Sequence, residues 1–121
     1  MRKILVVDDE SDICDFMKNF FEERGYTVFT ALSGEDAIEL SKKERPELIL
    51  LDIKMKDMDG IATLKHLKAI DRKQKIIMVT AIEDQDKMDE ASKLGACDYV
   101  IKPLMLDYLE RTVERNLGAS V

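Results

Sequence analysis

Hydrophobic and polar positions change period along the chain in a regular way. Lys3 to Val7 (KILVV) is a short apolar run that stops against Asp8 and Asp9. Runs of this kind read as strands buried on both faces. In SDICDFMKNFFEER, residues 11–24, Ile13, Phe16, Met17, Phe20 and Phe21 fall at i, i+3, i+4, i+7 and i+8. That spacing predicts one apolar stripe on a helix. Ser11 or Asp12 is placed to cap it and Gly25 to end it. Tyr26 to Ala31 (YTVFTA) is β-branched and aromatic, hence a strand. Ser33 caps a helix that runs to Glu44, and Pro46 breaks it. Glu47 to Leu51 (ELILL) is a third apolar run, ending at Asp52.

The rhythm continues. A loop, IKMKDMDG, leads to a helix over 61–70; KIIMVT at 75–80 is a fourth strand; 84–94 is a fourth helix, ended by Gly95. DYVIK at 98–102 is the fifth strand, and 106–117 a last helix with Tyr108, Leu109, Thr112, Val113 and Leu117 along one side. Strands separated by helices pair in parallel, so the pattern predicts an α/β fold, a doubly wound five-stranded parallel sheet with helices on both faces. Ligands of such sheets sit outside the carboxyl ends of the strands.

Composition narrows the classes. The chain has 121 residues, 45% hydrophobic and 36% charged, a globular balance at the size of one domain. Its net charge of −6 argues against non-specific nucleic-acid binding, which depends on basic residues facing phosphates. No apolar run approaches the ~20 residues that span a bilayer, and no signal peptide is legible, so no membrane role and a cytoplasmic location are expected. Cys14 and Cys97 have no ligand spacing around them and read as two reduced thiols. Met55, Met58 and Met78 read as packing groups, and His66 as a surface or packing residue of the third helix.

The strand ends carry the chemistry. Strand one ends in Asp8 and Asp9, strand three in Asp52, strand four in Thr80 and strand five in Lys102. A parallel sheet brings all of them to one edge. Carboxylates ~4 Å apart repel by about 4 kcal/mol at an effective dielectric near 20. A fold keeps such a group only with a compensating cation or a raised pKa. Oxygen donors without histidine or thiolate favour Mg2+ over zinc. Lys102 offers a point charge and Thr80 a hydroxyl for phosphoryl oxygens, and an aspartate can act as nucleophile toward phosphorus.

These residues stand in VVDDE at 6–10, LLDIKMKDMDG at 50–60, VTA at 79–81 and YVIKP at 99–103. With these four motifs the chain resembles the receiver domain of two-component response regulators, the chemotaxis-regulator type. The resemblance covers essentially all of residues 1–121, expected as a single receiver domain, and implies the flavodoxin-like strand order 2-1-3-4-5. It implies Asp52 as phosphoacceptor, with Asp8, Asp9, Asp52 and the backbone carbonyl of Lys54 holding Mg2+. Thr80 and Lys102 would contact the phosphoryl group, Tyr99 would be the switch aromatic, and Pro103 would follow a cis bond. Lys54 and Ile82 would tune how long the phosphate lasts.

The implied partners are a sensor histidine kinase or phosphotransfer protein as donor, and an output domain or partner protein as receiver of the signal. The face of helix four, strand five and helix five would carry that contact, with a homodimer one form of it. The domain would catalyse its own phosphorylation and dephosphorylation without being an enzyme in the ordinary sense. One departure stands out: the family often has proline four residues after the phosphoacceptor, and here that residue is Lys56. A degenerate receiver-like interaction module and a small α/β Mg2+-dependent phosphatase are the alternatives. The second requires two aspartates two residues apart after strand one, as DxD, whereas Asp8 and Asp9 are adjacent and Glu10 follows. Both a stand-alone regulator and a receiver cut from a longer protein remain open.

Overall fold

The computed structural model of the chain describes residues 2–56, 58–81 and 84–118. Five strands alternate with five helices: β1 Lys3–Val7, α1 Ser11–Glu22, β2 Thr27–Ala31, α2 Gly34–Glu44, β3 Leu48–Asp52, α3 Gly60–Ile70, β4 Lys75–Thr80, α4 Asp86–Lys93, β5 Asp98–Ile101 and α5 Leu106–Leu117. All strand pairs are parallel, in the order β2-β1-β3-β4-β5. This is the predicted flavodoxin-like arrangement.

Alternation within the apolar runs explains how one sheet serves two cores. Ile4, Val6, Leu48, Leu50, Ile77 and Val79 point to one face and meet α1 and α5 through Cys14, Met17, Phe20, Phe21, Leu109 and Val113. Leu5, Val7, Ile49, Leu51, Ile76 and Met78 point to the other and meet Ala37, Ile61, Leu64, Leu67 and Ala91 of α2, α3 and α4. A strand buried on both faces has no polar side, which is why the period of two is invisible in the sequence there. Phe21 is fully buried and makes edge-to-face contacts with Phe20 and Tyr26, ring centroids 5.0 and 5.7 Å apart.

The structure moves several predicted details. Phe16 is 48% exposed and Tyr108 43% exposed, so neither belongs to its helix's buried stripe. At 100° per residue, Phe16 lies roughly 130° from the centre of the α1 face defined by Cys14, Met17 and Phe21, too far round to reach the sheet. Helix α1 starts at Ser11 with Glu10 as its cap residue and no side-chain cap bond. The predicted cap of α2 stands: Ser33 Oγ accepts from the N–H of Asp36 at 3.1 Å. Helix α4 is shorter than 84–94, because Asp84 is held in a turn by its N–H to the Ala81 carbonyl and the helix proper begins at Asp86. Strand β5 stops at Ile101, two residues before Pro103, which has no N–H for the ladder. Both cysteines are free; Met55 and Met78 are buried, and His66 is exposed.

Candidate functional site

The register carries the strand-end residues to one edge of the sheet. Val7 pairs with Leu51, Asp52 with Val79, and Thr80 with Ile101. Asp8, Asp52, Thr80 and Lys102 therefore lie within about one residue of a common line across β1, β3, β4 and β5. Because the chain leaves β1 for β2 on one side and returns to β3 on the other, β1/β3 is the topological switch point, where ligands of such sheets generally sit.

Each side chain has a local reason for its place. Asp8 is 3% exposed; its N–H donates to the Ala31 carbonyl at 3.1 Å, and its Oδ1 accepts from the N–H of Glu10 at 2.9 Å. Asp9, half-buried, takes the N–H of Lys56 on Oδ2 at 3.2 Å. Asp52 is buried, and its Oδ1 accepts from the N–H of Lys54 at 3.4 Å. Lys102 leaves β5 with its own N–H on the Thr80 carbonyl at 2.7 Å. Its ammonium lies 3.3 Å from Asp52 Oδ2 and 3.7 Å from Asp8 Oδ2. The Lys102–Pro103 peptide bond is cis. Thr80 is fully buried, and its hydroxyl donates to the Ala81 carbonyl at 3.0 Å. Tyr99 stands apart from this group, 43% exposed on the outer side of β5. Ile82 lies outside the described residues.

The charges do not balance. Burial and the neighbouring Asp8 push the Asp52 carboxyl up from 3.8 to about 6, against the pull of Lys102 and of the Lys54 N–H. Burial works to lower Lys102, but the carboxylates of Asp52 and Asp8 outweigh it and hold the ammonium above the usual lysine value. One ammonium thus faces Asp8 and Asp52, with Asp9 and Glu10 beside them. One oxygen from each of Asp8, Asp9 and Glu10 falls within 4.8 Å of the others. An all-oxygen set with surplus negative charge fits a hard divalent cation. Below it, Cys14 Sγ donates to the Asp8 carbonyl at 3.4 Å, and burial pushes that thiol up to about 11, so it is no nucleophile.

Three contributors have no role assigned by the sequence reading. Glu10 stands in the VVDDE motif, where a third adjacent acid is the available signal. The Lys56 N–H has no sequence signature. Gly60 is needed for close approach: a Cβ built there would overlap the Asp52 carbonyl oxygen and stand 2.6 Å from the Ile53 Cα. Its N–H donates to the Ile53 carbonyl at 2.7 Å, which closes the β3–α3 loop beneath the acid.

The profile of the response regulator receiver domain matches residues 4–114. The chain belongs to this family. It is 39% identical over 115 residues to sporulation initiation phosphotransferase F of Bacillus subtilis, which covers 95% of this chain and 93% of that protein. It is 42% identical to the transcriptional regulatory protein ZraR of Salmonella typhimurium, matching 95% of this chain but only 26% of that longer protein. The receiver domain of NtrX from Brucella abortus superposes with a TM-score of 0.90 at 31% identity, covering 97% of this chain and 99% of that one. The chain is thus a phosphoacceptor receiver domain of two-component signalling. Receiver domains of this family deal with histidine kinases or phosphotransfer proteins on one side and output domains on the other. Among the described residues, no helix is long and apolar enough to cross a membrane.

Proposed function

We propose that residues 1–121 act as one receiver unit whose phosphoacceptor is Asp52. The observation that carries this reading is the position of Asp52: buried at the sheet edge, flanked by Asp8 and held 3.3 Å from the Lys102 ammonium. With its carboxyl raised to about 6, the ionised form still prevails at neutral pH. The ionised oxygen attacks the phosphorus of a phosphohistidine in line; the new P–O bond forms as the P–N bond breaks, and the imidazole leaves with the electron pair. Lys102 stabilises the equatorial phosphoryl oxygens by charge, and Thr80, once its hydroxyl leaves the Ala81 carbonyl, donates to one of them. Water later attacks the acyl phosphate and restores the carboxylate. In this sense the domain catalyses its own phosphorylation and dephosphorylation.

Asp8, Asp9, Asp52 and the Lys54 carbonyl would hold Mg2+. When bound there, the ion supplies positive charge to the phosphoryl oxygens. Lys54 and Ile82, two residues after Asp52 and Thr80, tune the lifetime of the acyl phosphate. Tyr99 reports the change on the face of α4, β5 and α5. A groove of about 450 Å3 opens there, lined in part by Met88, Cys97 and Tyr99. Met105, 68% exposed, and Leu106, 37% exposed, stand just beyond Lys102 and suit a protein partner. The partners on this reading are a sensor histidine kinase or phosphotransfer protein, then an output domain, partner protein or second copy, in the cytoplasm and without direct nucleic-acid contact.

The test is to incubate the protein with Mg2+ and a small acyl-phosphate donor and weigh it. A gain of one phosphoryl group, lost in Asp52→Asn and on chelation of the metal, is expected. No gain in the wild type overturns the reading in favour of an interaction module that takes no phosphate.

A further inference from the structure

The bond from the Lys56 N–H to Asp9 Oδ2 joins two segments 47 residues apart in sequence. Lys56 lies in the β3–α3 loop, and its side chain is exposed. What it contributes to the acidic edge is therefore its backbone. A carboxylate has two oxygens. With Oδ2 of Asp9 engaged by the amide, the group is held in one orientation, and among the described residues Oδ1 accepts no hydrogen bond. Asp9 is one of the three acids whose oxygens fall within 4.8 Å of one another. A carboxylate that must find its orientation during binding loses rotamer freedom at that moment, whereas one already hydrogen-bonded does not. Ligating carboxylates are generally held by a second layer of hydrogen bonds, and removing such a partner weakens metal binding by roughly 10- to 100-fold.

We infer that the main-chain N–H of Lys56 positions the Asp9 carboxylate for a divalent cation. This rests on the reading of the acidic edge as a Mg2+ site. The N–H is a variable of this chain, because a proline at position 56 would have none to give. The exposed ammonium of Lys56 has the opposite tendency, since a cation near the site repels a second one. The two contributions separate by substitution. Lys56→Ala removes the ammonium and keeps the N–H; Lys56→Pro removes both.

The experiment is a Mg2+ titration of the unphosphorylated full chain, followed by calorimetry and by the amide spectrum of Asp8, Asp9 and Glu10. Lys56→Pro is expected to bind Mg2+ roughly 10- to 100-fold more weakly than Lys56→Ala. Replacing Lys56 by its α-hydroxy acid, which exchanges the N–H for an ester oxygen without a proline ring, is expected to show a loss of the same size relative to wild type. Affinities within twofold for the alanine and proline variants overturn the inference. So does an ester that binds like wild type, because any loss in the proline variant then comes from its ring. A wild type that binds no Mg2+ at millimolar concentration overturns the Mg2+ reading itself, and the inference with it.

Discussion

The ammonium of Lys102 reaches Asp52 from two strands away, spanning β4 to come within 3.3 Å of Oδ2. It is the positive charge that the geometry sets against two buried acids, since the same ammonium stands 3.7 Å from Asp8. Burial and Asp8 raise the Asp52 carboxyl to about 6 even with Lys102 in place. Lys102→Met keeps most of the apolar stem and removes the charge, so the carboxyl is expected to titrate above 6 in metal-free buffer. A carbon-13 titration of the Asp52 carboxyl measures this, and a midpoint equal to wild type would show that the ammonium does not act on Asp52.

The same imbalance acts on stability. Asp52 has a folded pKa of about 6 against an ordinary 3.8, so the folded state holds its proton more tightly than the unfolded chain. Between those values the folded state binds more protons, and stability falls as pH rises. The penalty is absent below about pH 4, grows up to about pH 6 and is complete above it. Asp52→Asn removes it. Without metal, the variant is expected to be more stable than wild type at pH 7.5 by on the order of 1–2 kcal/mol, and equal to it at pH 3.5. Urea unfolding in a chelator across this range tests the sign. Saturating Mg2+ should narrow the gap by stabilising the wild type more than the variant.

Gly60 makes a sharper claim about the floor of the site. A Cβ there would overlap the Asp52 carbonyl, which is main chain and has no rotamer to move aside. Gly60→Ala is expected to cost about 1–3 kcal/mol, the range for forced overpacking, and to slow phosphoryl uptake by moving the end of β3. Unfolding midpoint and mass gain should fall together. Gly25→Ala makes a useful contrast: a Cβ there meets no atom within 4 Å, so only its positive φ of 91° opposes the change and uptake is expected to stay at the wild-type rate.

What the sequence made legible follows from these contacts. The runs KILVV, ELILL and KIIMVT read as strands, because each has a short apolar centre, too short for a helix, bounded by polar residues. The polar residues that end them then had to share one edge, and Asp8, Asp52, Thr80 and Lys102 do. The exposed Phe16 was not legible, because a stripe read by spacing does not say where its centre lies, and Cys14 rather than Phe16 flanks Met17 and Phe21 in the core. The start of α4 was not legible either, since DQDKMDEASK buries little beyond Ala91 and has no apolar stripe to mark its first turn. The Lys56–Asp9 bond lay furthest out of reach: it uses a main-chain donor, which every residue but proline carries, and depends on two loops meeting.

Asp98 fastens the last helix to the last strand. Its Oδ2 accepts from Arg115 at 2.7 Å and from Asn116 at 3.0 Å, and its Oδ1 from the N–H of Tyr99 at 2.9 Å. Burial works to raise this carboxyl, but the hydrogen bonds from Arg115, Asn116 and Tyr99 outweigh it and hold it below the ordinary 3.8. A depressed pKa contributes stability that is present above 3.8 and is lost as pH falls through the folded value. Asp98→Ala is therefore expected to cost about 1 kcal/mol at pH 7, a figure kept small by partial exposure and salt screening. The gap should close in strongly acidic buffer. Tyr99 sits on the same anchor, so the variant should also change partner binding on the α4–β5–α5 face while leaving phosphoryl uptake near wild type. Uptake and partner binding lost in equal measure would mean that Asp98 acts on the whole fold rather than on this face.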